Sequence, residues 1–244
     1  MSSSPTITPL VHKLARRDAL SSAERDALAT LLGPERHVPA GGLLVEPGDR
    51  PSFSTLLISG FCARYSLTVD GGRQLTEVNV PGDFIDLHSL LMRQMDHGVV
   101  ALGDCVVAPA PHADLRRLTE NHPHLTRLLW LETVVDGAIH RQWLVTMGQQ
   151  NAASRLAHLA CELYCRLEGA GLARDHQFSN PMTQADLGDV LGLTPVHVNR
   201  VLADLRQQGL LEWKSGVVTI PDWDSLVKLG QFDPAYLRLQ SDPV

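Results

Sequence analysis

Val196, Asn199 and Arg200 fall on one side of a helix-length run that begins at Thr194, while Val198, Val201, Leu202 and Leu205 fall on the other. Those three residue types carry the chemistry of base recognition. An arginine donates two hydrogen bonds to guanine O6 and N7, an asparagine pairs with adenine N6 and N7, and a valine meets a thymine methyl. Thr194, His197 and Lys214 suit phosphate oxygens, contacts that position a protein on a duplex without reading its sequence. The plain alternative is a solvated helix face, for which a valine beside an Asn-Arg pair is an odd choice.

A second polar cluster lies upstream, in GDFIDLHSLLMRQMDHGVVAL. Asp86, His88, Arg93 and His97 are its candidate effector-pocket residues; with Asp96, the aspartates and histidines can equally brace an empty pocket by hydrogen bonds. The chain lacks a Gly-x-Ser-x-Gly elbow, a His-Glu-x-x-His motif, a phosphate-binding Gly-Lys loop and a dinucleotide fingerprint. The expectation is neither catalysis nor a bound metal.

The elements that must hold these groups follow from local signals. Thr183 caps a short helix, Gln184–Leu191, with Leu187, Val190 and Leu191 on its apolar face; Gly192 ends it. Thr194 caps the second helix, with Pro195 at its first position, where a missing N–H costs nothing. Leu210–Trp213 and Val217–Ile220, joined through Lys214-Ser215-Gly216, read as a β-hairpin wing. The whole is a winged helix-turn-helix. Upstream, residues 38–110 are short apolar runs broken by Gly and Pro every ten to twelve residues, the spacing of an antiparallel sandwich or barrel. Ser21 and Glu24 are placed for a capping box, and the first twenty residues read as a loosely packed lead-in. From Pro123 a long helix carries two apolar stripes, Leu125/Leu128/Leu131/Val135/Ala138/Val145 and Leu129/Val134/Ile139/Trp143/Met147. Two stripes suit either a helix wedged between its own domain and a partner or one buried within a single chain.

The 244 residues suffice for two modest domains, and 44% apolar against 20% charged residues excludes disorder. The net charge of −6 gives no general pull toward polyanions. Residues 151–228 carry seven Arg and Lys against nine Asp and Glu, a net of −2, so non-specific affinity should be modest and two half-sites should be needed. No window is apolar enough for a membrane span, and the start lacks an export signal. Four cysteines are too sparse for a disulfide scaffold, and the expected setting is the cytoplasm.

This order of modules resembles the Crp/Fnr family, named for the cAMP receptor protein and the fumarate–nitrate reductase regulator. The resemblance spans about residues 20–222 and is most specific over Thr183–Leu211. Pro47-Gly48-Asp49, Ile58-Ser59-Gly60, Asp70-Gly71-Gly72 and Pro81-Gly82-Asp83-Phe84-Ile85 look like the turns of that family's β-roll. It implies an α+β fold: a jelly-roll-like double-stranded β-helix sensor domain (1–121), a dimerisation helix (122–148) and a winged helix-turn-helix DNA-binding domain (149–244). Double-stranded DNA, a second copy of the chain and RNA polymerase are the implied partners, with Leu128, Leu131, Val135 and Ala138 as the dimer seam. The implied function is a regulator binding a near-palindromic site, with no membrane and an unknown small-molecule effector. Pro195 stands where cAMP-responsive members often have Arg, so their DNA preference does not carry over. Leu87 replaces the ribose-binding Glu, and His97-Gly98 replaces the phosphate-binding Arg-Ser, which argues against tight cAMP binding. An iron–sulphur cluster needs four convergent thiolates, in that subgroup mostly near the N-terminus, yet no Cys precedes Cys62; Cys161 and Cys165 read as packing residues. No cofactor is expected, haem being the alternative because His88 stands where carbon-monoxide-sensing members hold it. The rival function is a ligand- or haem-binding sensor acting through protein partners rather than DNA.

Overall fold

The computed structural model describes residues 7–243, beginning with two helices, α1 (Thr8–Arg17) and α2 (Ser22–Leu31). The capping box forms: Glu24 N donates to Ser21 Oγ at 3.3 Å, and Ser21 N donates to the Glu24 carboxylate at 2.8 Å. Helix α1 corrects the expectation of a loose lead-in. Leu10 and Leu14, one turn apart, are buried in a cluster with Leu28, Leu31, Leu115 and Leu125, and Lys13 is ion-paired to Asp83 and Glu132. Residues 1–6 of that lead-in lie outside the described residues.

Seven strands follow: β1 (Arg36–Val38), β2 (Leu43–Val45), β3 (Phe53–Ser59), β4 (Cys62–Leu67), β5 (Arg73–Asn79), β6 (Gly98–Ala101) and β7 (Cys105–Pro111). They form two antiparallel sheets, ordered β1-β7-β3 and β2-β6-β4-β5. Leu57, Cys62, Ile85, Val99 and Val107 fill the space between them. The alternation of strand side chains turns Ala63 and Tyr65 of β4 the other way, into a cluster shared with the helices that follow. Tyr65 lies so close over Gly98 that a Cβ there would sit 2.2 Å from its ring.

Helix α3 (His112–Asn121) leads to α4 (Pro123–Gln149), with Pro in its first turn, and to α5 (Ala152–Gly169), capped by Asn151. Leu128 is enclosed by its own chain at 1% exposure, which removes it from any seam. Leu131 and Val135 are half-buried over a cavity that they share with Lys13, Asp83 and Leu237. Ala138 is half-buried in a groove beside Tyr236 and Arg238. The apolar residues of α4 that face outward are instead Trp130, Val134, Leu144 and Val145. At 100° per residue Trp130, Val134 and Leu144 lie roughly 80–160° from the middle of the expected seam, while Val145, itself on the first expected stripe, lies about 60° from it. Leu128 is covered by the cluster that α1, α2 and α3 build against α4, and Leu131, Val135 and Ala138 are partly covered by the C-terminal segment at Tyr236, Leu237 and Arg238.

The remaining elements are β8 (Gln177–Ser179), α6 (Gln184–Leu191), α7 (Pro195–Gln207), β9 (Glu212–Lys214), β10 (Val217–Thr219) and α8 (Trp223–Gly230). The wing is a three-stranded sheet, β8-β10-β9, rather than a lone hairpin. Ser215 and Gly216, at φ of 53° and 76°, make its two-residue turn, since paired positive φ matches the twist of the flanking strands. Among the described residues no helix is long and apolar enough to cross a membrane.

Candidate nucleic-acid interface

Thr183 Oγ1 accepts from Asp186 N at 3.1 Å, and the Asp186 carboxylate accepts from Thr183 N at 2.9 Å, closing the first turn of α6. The helix stops at Gly192, whose φ of 64° is the left-handed conformation that lets the chain turn back. Two residues later Thr194 Oγ1 accepts from His197 N at 3.3 Å and starts α7 with Pro195 in its first turn. The close turn depends on Gly188 as well: a Cβ there would lie 2.6 Å from the Leu193 carbonyl oxygen. Arg155, from α5, secures the far end of α6 by donating to the Leu191 carbonyl at 2.8 Å. No local sequence signal marks Arg155, because its partner is 36 residues away.

Val198, Val201 and Leu205 are buried and Leu202 half-buried, which fixes the rotation of α7. The opposite face carries Val196, 79% exposed, with Asn199 and Arg200, also exposed. Neither Asn199 nor Arg200 makes a side-chain hydrogen bond or ion pair with a described residue. Thr194 is exposed at the N-terminus of α7, His197 is half-buried in its first turn, and Lys214 is exposed on β9, which packs on α7. Thr194, Val196, His197, Asn199 and Arg200 thus lie on α7 or at its start, and Lys214 on the strand packed against it. Free donors on a helix of this kind can enter a major groove.

The upstream cluster divides. Asp86 is buried and pairs elsewhere: its carboxylate accepts from Thr55 N at 2.5 Å, and burial raises its pKa to about 7. His88 lies in a single turn of 3-10 helix, Leu87–Leu90, where burial lowers its imidazole pKa to about 4 and keeps it neutral. The His88 and His97 rings are 5.0 Å apart between centres, and His97 Nδ1 meets the Asp96 carboxylate at 2.7 Å. Arg93 is exposed, which corrects its assignment to an inward-facing pocket, and Asp86 does not join the histidine network.

Neither family cofactor fits these residues. Cys62 and Cys105 lie in the β-roll with Sγ atoms 4.0 Å apart, while Cys161 and Cys165 are buried on α5. Burial pushes the Cys165 thiol up to about 12, and four thiolates do not converge. A haem at His88 would need the space that the His97 ring occupies beside it.

Residues 35–122 match the model of the cyclic nucleotide-binding domain, and residues 154–229 match that of the Crp-like helix-turn-helix domain. The chain is 26% identical over 212 residues to the fumarate and nitrate reduction regulatory protein of Shigella dysenteriae, covering 86% of this chain and 84% of that one. It is 25% identical over 210 residues to the anaerobic regulatory protein of Pasteurella multocida, covering 86% and 77%. Among solved structures it resembles FixK2 from Bradyrhizobium japonicum, with a TM-score of 0.72 at 23% identity over 81% of this chain and 96% of that one.

Proposed function

The chain belongs to the Crp/Fnr family of DNA-binding transcriptional regulators, and from that premise we propose that it binds a near-palindromic duplex as a homodimer through Val196, Asn199 and Arg200. The observation that carries this reading is the face of α7: one exposed valine and two polar side chains with no protein partner, on a helix whose other side is locked into the core. Thr194, His197 and Lys214 hold phosphates on either side. Residues 1–121 form the sensor half, 122–148 the helix between protomers and 149–244 the DNA-binding half. Trp130, Val134, Leu144 and Val145 supply the seam, because they form the apolar face of α4 that its own chain leaves open. Such a regulator works in the cytoplasm and recruits or blocks RNA polymerase. Its effector is not cAMP, since the buried Leu87 and the His97-Gly98 pair offer neither a ribose acceptor nor a guanidinium.

The test is selection of bound sites from a randomised duplex pool, followed by titration of the selected site with Arg200→Ala. The variant is expected to lose about 1–3 kcal/mol of discrimination at one base pair of each half-site while retaining its fold. Unchanged selectivity would remove Arg200 from the reading face, and a wild-type protein that ignores every duplex would favour the partner-binding sensor instead.

A further inference from the structure

His88 and His97 come from opposite ends of an irregular stretch, yet their rings meet. His88 belongs to the short 3-10 turn after Asp86, and His97 directly precedes β6. In both, Nε2 is closed off from solvent without a hydrogen-bond partner. Two such nitrogens on neighbouring rings are costly, because a buried polar atom without a partner has given up its hydrogen bond to water. In the neutral ring Asp96 fixes the tautomer of His97: a carboxylate only accepts, so Nδ1 carries the proton and Nε2 the lone pair. Carboxylate to Nδ1–H with a bare Nε2 is the arrangement that orients an imidazole toward a metal. The spacing agrees. Metal–nitrogen bonds of about 2.0–2.1 Å at a tetrahedral angle put two ligand ring centres about 5 Å apart, and these two are 5.0 Å apart.

We propose that His88 and His97 form a two-imidazole site for a divalent transition-metal ion, with its remaining coordination positions open to water or a small anion. Nitrogen donors select ions such as Zn²⁺ and Ni²⁺ over Mg²⁺, which prefers oxygen. Among the described residues no group of three or more His, Cys, Asp or Glu gathers to close the shell. The site therefore supplies two protein ligands and leaves at least two positions to water or a further ligand, one more than metal sites with three protein ligands and a single open position. An ion here would tie the 3-10 turn to β6, which pairs with β4 at the centre of its sheet. The inference does not depend on DNA binding, and it revises the expectation of no metal.

Calorimetric titration of chelator-stripped, full-length protein with ZnCl₂, NiCl₂ and MgCl₂ tests it. Wild type should take up one Zn²⁺ or Ni²⁺ per chain and give no response to Mg²⁺. His88→Ala and His97→Ala should each weaken that binding at least tenfold, whereas His37→Ala, at an exposed position on β1, should leave it unchanged. His88→Gln and His97→Gln, which preserve bulk, take the place of any alanine variant whose melting curve shows unfolding. Asp96→Asn should weaken binding by about 10–100-fold through the orientation of His97. Absence of uptake by wild type, equal response to Mg²⁺, or full affinity in both histidine variants would overturn the site.

Discussion

Arg64 is a fully committed arginine in the β-roll. Its Nε donates to the Ile85 carbonyl at 2.9 Å, Nη1 to Glu77 at 2.5 Å and Nη2 to Asp136 at 2.9 Å, so one side chain on β4 ties its own sheet to α4. Asp83 plays the corresponding part between α1 and α5, holding Lys13 and, at 2.8 Å, Arg166. Such buried ions are held by their partners rather than by solvent, so removing one leaves another uncompensated. Asp136 is the member that titrates near neutrality. Burial, with the negative charge of Glu77 beside it, raises its pKa to about 7 from an ordinary 3.8 against the pull of Arg64. A carboxyl raised in the folded state stays protonated there while the unfolded chain ionises. Its contribution to stability is therefore fully present below about pH 4, falls as pH rises toward 7, and is gone above that. Asp136→Asn cannot ionise, yet its amide oxygen can still accept from Arg64. The melting temperature of this variant relative to wild type should be higher at pH 8 than at pH 5. A difference that is flat with pH, or larger at pH 5, would contradict the assignment. Glu77 and Asp83 are held below the usual carboxylate range, so their titration lies at more acid pH, and Asp86, which burial also raises to about 7, is present in both proteins and cancels in the comparison.

At the scale of elements, the helix-turn-helix is set by a few residues whose local chemistry leaves little choice. Gly188 shows how tight the turn is: an added Cβ would approach the Leu193 carbonyl oxygen to 2.6 Å, and that oxygen is backbone. Gly188→Ala should cost about 1–3 kcal/mol, as overpacking does. It should lower the melting temperature and weaken DNA binding to all sites alike, since α7 loses its seat while keeping its side chains. Selective loss at one base pair would contradict this. Thr183, Gly192, Thr194 and Pro195 were legible in the sequence because caps and left-handed turns are local. So were the strands of the roll, from turn residues and alternation. Helix α1 was not, since its order rests on Lys13 meeting residues 70 and 119 positions away. The orientation of α4 was misread for the same kind of reason. Periodicity gave two apolar stripes, and each is split in the structure: Leu128 and Ile139 are buried within the chain while Val145 of the first stripe and Val134 of the second stay exposed, a division set by the elements that dock on α4. Strand β8 and helix α8 went unread, being short and supported by tertiary neighbours such as Trp223 stacked on His176.

At the scale of the whole molecule, two surfaces decide how the halves work together. The first is the open face of α4. Val134→Asp should convert a dimer to monomers in sedimentation, because burying an unpaired charge costs several kcal/mol. Val135→Asp, half-buried over its own chain's cavity, should lower stability more than association; the reverse ranking would restore the stripe expected from sequence. The second surface joins the β-roll to the first helix of the helix-turn-helix. Arg73, at the start of β5, donates to Asp189 at 2.8 Å and to Asp186 at 3.1 Å, and Gln74 donates to the Asp189 and Val190 carbonyls at 2.6 and 3.2 Å. Asp186 also closes the capping box of α6, so the clasp grips the start of that helix. The Arg73 pairs are partly exposed, and such pairs contribute on the order of 0.2–1 kcal/mol each. That is small enough to be opened by modest differential binding elsewhere and large enough to bias where α7 points. Arg73→Ala should therefore raise amide hydrogen exchange in α6 several-fold while the β4–β5 pairing stays protected. The same exchange rate in α6 as in wild type would mean that the buried ions at Arg64 and Arg166, not this clasp, hold the two halves in register.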